Sequence, residues 1–166
     1  MVQLVTVQSI NEINELANIA CTIWNEFFPS LIGQNQVDYM IKKFQSDDAI
    51  GAQIADGYQY FLITEEHNVI GYIGIVSIPN TKTMQISKFY ILKDWRGKGY
   101  AREIIIKISS LAMSVDCNKL YLTVNKYNSS SIAAYQKLGF ITIGELVMDI
   151  GNGFVMDDFE MEKKIT

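Results

Sequence analysis

The fold of this chain is decided by the stretch Asp94-Trp95-Arg96-Gly97-Lys98-Gly99-Tyr100-Ala101-Arg102, which joins a strand-like segment, residues 88–92, to a long helical pattern. From Ile104 to Val115 apolar residues recur at i, i+3, i+4 and i+7, so this helix is expected to lie on a sheet. The backbone N–H groups in the first turn of a helix have no intrahelical partner, and the helix dipole makes that end positive. Gly97 and Gly99 can adopt positive φ and let an anion approach the main chain. The stretch therefore predicts a seat for a diphosphate-sized anion, surrounded by the positive charges of Arg96, Lys98 and Arg102.

Two familiar phosphate-binding loops do not fit this stretch. A Walker A loop requires Ser or Thr after its Gly-Lys pair to hold magnesium, but Gly97-Lys98 is followed by Gly99. A dinucleotide-binding loop requires a third small residue where Arg102 stands, and an acidic residue near the end of a second strand about 20 residues further on. Both kinds of loop are therefore excluded.

The stretch resembles the acyl-CoA loop of the GCN5-related N-acetyltransferase (GNAT) family. The family pattern is Gln or Arg, two residues, Gly, one residue, and Gly or Ala, and it is met by Arg96, Gly99 and Ala101. The alternative is a glycine-rich turn that only caps a helix. Six residues alone leave both interpretations open.

A second motif further along the chain favours the family resemblance. Residues 120–125 read as a strand, and the helix that follows begins at a cap formed by Asn128 or one of the serines after it. Gly139 stands where a C-terminal residue of positive φ is expected. In the resembling family the corresponding asparagine hydrogen-bonds the cofactor and the tyrosine seven positions later points at its sulfur. Asn128 and Tyr135 occupy these two positions.

The resemblance implies a site for acetyl-CoA and transfer of its acetyl group to an amine by direct attack in a ternary complex. The cofactor-binding residues that it implies are Phe89, Tyr90, Ile91, Arg96, Gly97, Lys98, Gly99, Tyr100, Ala101, Arg102, Asn128 and Tyr135. Main-chain N–H groups at the end of the strand would stabilise charge on the thioester oxygen. Tyr135 is the candidate catalytic acid, because a phenol of pKa about 10 can donate to a thiolate of pKa near 8.5 as charge builds. Anchoring of the helix by packing is its alternative role.

The base that takes a proton from the amine is not obvious from the sequence. Many relatives carry a glutamate in the strand before the loop or near the end of the next strand, but the polar residues there are Gln85, Ser87, Thr123 and Asn125. A water chain could serve, or a carboxylate from Glu26, Asp157 or Glu145. The single histidine, His67, lies in a polar turn and is expected to be solvated.

Candidates for the acceptor site come from the first helices and the last hairpin, which supply it in this family. Trp24 and Phe28 offer aromatic surface for a carbon chain or a cation, or belong to the core. Asp157 and Asp158 are adjacent on a predicted strand, so only one of them can reach the acceptor, and Asp157 is the candidate.

Composition fits one enzyme domain spanning 1–166. The chain has 166 residues, 49% hydrophobic and 19% charged, enough for one core, and its net charge of −4 is compatible with a cationic substrate and argues against nucleic-acid binding. Neither an apolar run of about 18 residues nor a leader segment is visible, so no membrane association is expected. The two cysteines, Cys21 and Cys117, suggest neither a disulfide framework nor a metal site, and they fit the cytoplasm.

Periodicity along the chain predicts alternating strands and helices without repeats. Strands are expected at 4–7, 60–64, 69–78, 83–92, 120–125, 140–147 and 154–162, and helices over 13–27, 34–44, 104–115 and up to residue 138. Residues 48–55 could add a short third turn after the second helix. The turn Ile150-Gly151-Asn152-Gly153 is the strongest hairpin signal. The resemblance implies the GNAT fold, an α/β (α+β) arrangement with a central mixed, mostly antiparallel sheet of about seven strands flanked by helices. Two parallel strands, ending at Leu92 and Asn125, would splay around the cofactor.

Taken together, the sequence predicts an acetyl-CoA-dependent N-acetyltransferase, an acyltransferase acting on a primary amine of a small molecule, for which a polyamine-like compound is one candidate. Acetylation of a peptide amino terminus or a lysine is the alternative substrate class. A module that binds acyl-CoA without turnover is the alternative from another class of protein, since no base is evident. A homodimer is left open.

Overall fold

The structure, a computed structural model, describes all 166 residues. It contains seven strands, β1 (Gln3–Thr6), β2 (Gln59–Glu65), β3 (Asn68–Ile78), β4 (Thr83–Ile91), β5 (Lys119–Asn125), β6 (Ile141–Gly151) and β7 (Phe154–Lys164). The α-helices are α1 (Ile10–Phe27), α2 (Pro29–Ile32), α3 (Gln34–Met40), α4 (Asp47–Ala55), α5 (Tyr100–Ser114) and α6 (Ser129–Lys137). The predicted order of elements is confirmed, with the short helix α2 added after Phe28 because Pro29 suits the first turn of a helix.

The strands are hydrogen-bonded in the order β1-β2-β3-β4-β5-β7-β6. The pairs β1–β2, β2–β3, β5–β7 and β6–β7 are antiparallel, and β4 pairs parallel with β5. This mixed sheet of seven strands, flanked by helices, confirms the predicted fold class. The residues group into two compact units, Met1–Val76 with Lys88–Ile104 and Ser77–Ser87 with Ile105–Thr166. The single domain over 1–166 stays a prediction.

In the first unit, α1 begins at a capping box. The Ser9 side chain accepts from the backbone N–H of Glu12, and the Glu12 carboxylate accepts from the backbone N–H of Ser9 at 2.7 Å. The apolar side of the helix then packs into a buried cluster formed by Val7, Leu16, Ala20, Ile23, Ile50, Tyr60, Leu62 and Tyr72. Each of the large side chains contributes about 1.5–3 kcal/mol by leaving water. This cluster fixes α1 on the strands.

The predicted helix over 34–44 is correct in position but changes its period part-way. After α3, residues Ile41–Gln45 form a π-helical turn, and Gln45 is buried with its Oε1 accepting from the Tyr72 hydroxyl at 2.9 Å. A π turn has more residues per turn than an α-helix, so it rotates the following residue relative to the helix face. The rotation is tolerated because the buried Gln45 and Tyr72 side chains satisfy each other by this hydrogen bond.

The second unit is built on β5, β7 and β6. Residues Leu120, Leu122 and Val124 are buried, and their alternate neighbours on β5 are polar and partly exposed. The hairpin β6–β7 turns at Asn152 and Gly153, both with positive φ as a two-residue turn of this kind requires. Because that turn matches the strand twist, pairing continues up to Gly151 opposite Phe154, so β6 extends four residues beyond its predicted end at residue 147.

The parallel pairing of β4 with β5 is short. It covers Thr83–Gln85 against Lys119–Tyr121, within the second unit, whereas β5 pairs with β7 along its whole length. No helix in the structure combines the length and apolar character that a bilayer crossing requires. Both cysteines are free, Cys21 exposed on α1 and Cys117 buried.

Candidate active site

The glycine-containing loop lies between the end of β4 and the start of α5, in the first unit. Residues 93–95 form a single 3₁₀ turn, Arg96 is extended, and α5 begins at Tyr100. Gly97 and Gly99 have φ of 75° and 88°, as the sequence predicts. A Cβ built on either glycine would meet no atom within 4 Å, so both face open space. The main chain of the loop is therefore accessible to a ligand.

Five consecutive backbone N–H groups in this loop have no acceptor in the protein. The N–H groups before them bond within the 3₁₀ turn, from Trp95 to Leu92 and from Arg96 to Lys93. Those after them, of Arg102 and Glu103, donate to the carbonyl oxygen of Gly99. The groups from Gly97 to Ala101 donate to neither backbone nor side chains. A row of such donors at a helix start suits the oxygens of a phosphate or diphosphate.

Arg96 is the residue that fastens the loop. Its Nε–H donates to the carbonyl oxygen of Ile91 at 2.7 Å and its Nη2 contacts Glu26 Oε1 at 3.0 Å. The same Glu26 oxygen accepts from the backbone N–H of Lys93 at 3.2 Å, and the guanidinium lies over the Phe27 ring. The Arg96 side chain is therefore directed to β4 and α1.

The other two cations of the loop are exposed. Lys98 Nζ lies 5.0 Å from the ring centroid of Trp95, whose ring in turn packs 6.0 Å from that of Tyr100. Arg102 lies in the first turn of α5 with an exposed side chain. Their charges stand beside the free N–H groups and favour an anion there.

The end of β4 is held in close contact with β3. A Cβ on Gly71 would lie 2.2 Å from the carbonyl oxygen of Tyr90, so only glycine allows this approach. The backbone N–H of Leu92 donates to the carbonyl oxygen of Ile70 at 2.8 Å. Phe89, Tyr90 and Ile91, the predicted main-chain donors, are thus on a fixed strand end.

The aromatic candidates of α1 lie in the core. Trp24 and Phe28 are 4% and 7% exposed, with ring centroids 4.1 Å apart, and both pack against Tyr90 at 5.6 and 6.0 Å. The Trp24 indole N–H lies near the Tyr72 hydroxyl. This placement favours the packing alternative for both residues over contact with an acceptor.

The predicted pair Asn128 and Tyr135 lies in the second unit, at the two ends of α6. Asn128 is buried and is the N-cap, with its Oδ1 accepting from the backbone N–H of Ser131 at 3.2 Å. Tyr135 is half-buried, and its ring packs edge-on against Phe140 with centroids 5.6 Å apart. Burial raises the pKa of the Tyr135 phenol, so it keeps its proton at neutral pH.

Two of the three candidate bases share one cation. Lys126 Nζ contacts Asp157 at 2.7 Å and Glu145 at 2.9 Å, and these two carboxylates raise the pKa of the lysine. Glu26, the third candidate, is engaged by Arg96. The charge of each carboxylate is therefore already matched within its own unit.

The structure adds a carboxyl group that the sequence did not single out. Asp158 is 5% exposed, and its burial raises its pKa to about 6, although the Thr123 hydroxyl favours the ionised carboxylate. Next to it on the same side of β7, the Glu160 carboxylate accepts from the Tyr121 hydroxyl at 2.6 Å and lies over Gly144. Alternation along β7 separates Asp157 from Asp158, but it does not reveal which of them is buried.

A buried lysine on β4 was also missed. Lys88 is 8% exposed, and its Nζ donates to Gln53 Oε1 at 2.6 Å and to the Tyr60 hydroxyl. Burial lowers the pKa of its amine to about 7. The sequence carries a signal for this lysine, because it stands two residues after Ile86 and four after Met84, so alternation along β4 places it on their buried side.

Comparison with known proteins identifies the family. The family model described as the acetyltransferase (GNAT) family matches residues 18–140. The chain belongs to the acetyltransferase (GNAT) family. This GNAT chain is 28% identical over 86 residues to the uncharacterized N-acetyltransferase YjgM of Escherichia coli, covering 51% of this chain and 52% of YjgM.

Two further relatives carry more specific names. The probable spermine N(1)-acetyltransferase of Bacillus subtilis subsp. natto is 34% identical over 62 residues, 37% of this chain and 41% of that protein. The N-alpha-acetyltransferase MAK3 of Arabidopsis thaliana is 30% identical over 77 residues, 46% of this chain and 40% of that protein. The GNAT chain thus spans about half the length of the curated relatives it matches, or less.

Solved structures share the fold over nearly the whole chain. The PaiA N-acetyltransferase of Thermoplasma acidophilum, crystallised in complex with coenzyme A, has a TM-score of 0.81 at 17% identity and 99% coverage of both chains. The dodecameric spermidine N-acetyltransferase of Vibrio cholerae has a TM-score of 0.69 at 20% identity, covering 99% of this chain and 94% of that one. The predicted GNAT fold is confirmed.

Proposed function

We propose that this GNAT protein is an acetyl-CoA-dependent N-acetyltransferase that acts on a primary amine of a small, polyamine-like cation. The observation that carries the proposal is the row of five N–H groups from Gly97 to Ala101 without protein acceptors. A helix start with this main-chain geometry and two exposed cations fits the diphosphate of coenzyme A. The family and the crystallised PaiA complex support the same ligand.

Each group of predicted site residues has its own role in this reaction. The loop N–H groups, with Lys98 and Arg102, would hold the diphosphate, and Asn128 would hydrogen-bond the cofactor. When bound, acetyl-CoA supplies a thioester whose C–S bond breaks as the new C–N bond forms, leaving coenzyme A as the thiol. Backbone N–H groups of Phe89–Ile91 would orient the acetyl oxygen, since β4 is fixed there by β3. Tyr135 stays protonated at neutral pH, because burial raises the pKa of its phenol, so its O–H would stabilise the departing thiolate by donating a hydrogen bond to the sulfur.

The distribution of carboxylates supports a cationic acceptor. On β7, Glu162 is paired with Lys119 and Asp157 with Lys126. By contrast, Glu160 accepts a hydrogen bond from the Tyr121 hydroxyl, and the Thr123 hydroxyl favours the ionised form of Asp158. A hydroxyl orients a carboxylate without cancelling its charge. Asp158 and Glu160 are two positions apart on one side of the strand, about 7 Å, so they offer two separated sites for ammonium groups. Spermine and spermidine acetyltransferases among the similar proteins support this acceptor class.

A peptide amino terminus is the second candidate acceptor, because the likeness to N-alpha-acetyltransferase MAK3 favours it. A peptide acceptor presents one α-amino group on an extended chain, whereas a polyamine presents several ammonium groups. The two classes of acceptor should therefore differ in how strongly kcat/KM depends on the number of positive charges that the acceptor carries.

The test is coenzyme A release from acetyl-CoA with a panel of spermidine, a monoamine of similar length, a lysine peptide and a peptide with a free amino terminus, with products checked by mass spectrometry. We expect the highest kcat/KM for spermidine, a lower value for the monoamine, and a fall as salt is raised. A higher kcat/KM for the peptides than for spermidine would mean that the acceptor is a peptide and not a polyamine-like cation. Acetyl-CoA binding without product from any amine would assign the protein as a non-catalytic module.

A further inference from the structure

We propose that Asp158 is the proton acceptor that converts the bound ammonium group into the attacking amine, a role that rests on the proposed N-acetyltransferase function. The proposal stands on the position of this side chain, its burial and the kind of partner it has. Each of these can be compared with the other carboxylates of the same unit.

The position of Asp158 is set by strand register. It pairs with Asn125, the last residue of β5, and the backbone N–H of Lys126 donates to the Asp157 carbonyl oxygen at 3.1 Å to extend the same pairing. Three residues after Asn125, the buried Asn128 caps α6, the helix that carries Tyr135. Asp158 on β7 therefore lies beside the C-terminal end of β5. The chain continues from that end into α6, which carries the predicted cofactor-binding asparagine at its N-cap and the predicted catalytic acid.

The surroundings of Asp158 leave its charge available. The polar side chain on β5 that favours its ionised form is the neutral hydroxyl of Thr123, and the residue opposite it on β6 is the apolar Leu146. The charged groups near it are Asp157 and Lys126, with opposite effects on its pKa. The other titratable groups around it are Glu160 on the same strand, Glu145 on β6 and the phenol of Tyr121 on β5. Burial outweighs all of these and gives a carboxyl pKa of about 6. The group is thus ionised at neutral pH and still basic enough to accept a proton.

The proton transfer balances simply. The ammonium R–NH₃⁺ loses one proton to the Asp158 carboxylate, giving R–NH₂ with a free lone pair and a neutral Asp158 carboxyl group. The carboxyl group then returns its proton to water. An alkylammonium of pKa near 10.4 is otherwise almost entirely protonated at neutral pH, so a base within reach raises the reactive fraction.

The other carboxylates considered for this task are less suited. Glu26 is bound by Arg96 and the backbone N–H of Lys93, and Asp157 and Glu145 are both bound by Lys126. Accepting a proton would break each of these ion pairs. Asp158 would only lose a favourable interaction with the neutral Thr123 hydroxyl, which can rotate to accept from the new carboxyl proton.

The first experiment compares the pH dependence of kcat/KM for Asp158→Asn and the control Glu162→Gln, which changes a cation-paired carboxylate on the same strand. Wild type and Glu162→Gln are expected to rise through a midpoint near pH 6 and then level off. Asp158→Asn is expected to lose about 10²-fold at pH 7 and to rise about tenfold per pH unit, because it must use amine that is already neutral. A wild-type profile in Asp158→Asn overturns the proposal.

A second acceptor separates chemistry from folding. An alkylamine with three fluorines on its β-carbon is neutral at pH 7, because the fluorines lower the pKa of its ammonium form below 7, so Asp158→Asn should acetylate it at close to the wild-type rate while failing with the parent alkylamine. Equal losses with both amines would assign Asp158 to structure and overturn the proposal. Thermal unfolding of both variants checks that they are folded.

A third measurement is independent of turnover. Carboxyl-carbon NMR should show a group that titrates near pH 6 and is missing from Asp158→Asn, and Thr123→Val should move its midpoint to higher pH, because the hydroxyl lowers the pKa of this carboxyl. The kinetic midpoint should move with it. If the kinetic midpoint does not move in Thr123→Val, the proposed role of Asp158 is wrong, but the proposed N-acetyltransferase function is not affected. If no amine is acetylated at all, the proposed function itself is rejected.

Discussion

Arg96 binds the carbonyl oxygen of Ile91 through its Nε–H at 2.7 Å, so the residue that opens the glycine loop is tied to the last residue of β4. Glu26 completes the attachment by contacting both the Arg96 guanidinium and the backbone N–H of Lys93. A loop held in this way loses little conformational freedom when it binds a ligand, which favours affinity.

The Glu26 contacts are therefore expected to support cofactor binding without touching the cofactor. Glu26→Ala should raise the Kd for coenzyme A about 3- to 10-fold by loosening the loop, because it removes a partly exposed ion pair and a backbone acceptor. Isothermal titration calorimetry measures this change. Glu15→Ala, at an exposed position of the same helix, is the control, and an equal effect of both variants would refute the argument.

The open space beside Gly99 gives a sharper test of the predicted anion-binding site at the N–H groups of residues 97–101. Gly99→Ala and Gly57→Ala both place a Cβ at positive φ in open space, so each should lower the free energy of unfolding by about 1 kcal/mol. Only Gly99→Ala should weaken coenzyme A binding, by about tenfold or more, because its Cβ would crowd the five free N–H groups. Unchanged affinity in Gly99→Ala would place the cofactor elsewhere.

Tyr135 is expected to act in the chemical step. Tyr135→Phe should lower kcat by about 10²-fold with the Kd for acetyl-CoA little changed, since the ring still packs on Phe140. The exposed Tyr127 lies just before α6, and Tyr127→Phe is the matched control. Steady-state kinetics with binding measured separately distinguishes the two effects. A normal kcat in Tyr135→Phe would leave the phenol with a packing role.

The buried Lys88 predicts a pH dependence of stability. Its pKa falls from 10.5 in the unfolded chain to about 7 in the folded protein, so between these values the unfolded chain holds a proton that the folded protein lacks. The free energy of unfolding of the wild type should therefore rise with pH from about 7 to about 10.5, relative to Lys88→Met, by up to about 1.4 kcal/mol per pH unit.

Urea unfolding at several pH values measures this difference, with the exposed Lys42→Met as a control that should follow the wild type. Parallel pH curves for the wild type and Lys88→Met would mean that Lys88 stays charged in the folded protein. Ionisation of other groups cancels, because it is common to all three proteins.

The features that the sequence predicted well depend on neighbours along the chain. Positive φ at Gly97, Gly99 and Gly139, the cap at Asn128 and the tight turn at Asn152 all follow from local conformational preference. The seven strands follow from alternation of apolar residues. Such signals need only a few residues, so one chain is enough to interpret them.

The features that the sequence did not predict depend on distant partners. Gln45 is drawn into the core by Tyr72, 27 residues away, and the π-helical turn follows from that contact. Glu26 meets Arg96 across 70 residues, which turned a candidate base into a loop anchor. Periodicity places Asp157 and Asp158 on opposite sides of β7, but only packing decides which side is buried.

Of the two free thiols, the buried Cys117 lies in the second unit and can report on its local opening. Cys21 is exposed, so a chromogenic thiol reagent should modify it in the native protein, whereas Cys117 is buried and should react only when its surroundings open. Detection of released coenzyme A by such a reagent therefore calls for Cys21→Ser. In that variant the slow labelling of Cys117 measures how often the second unit opens locally.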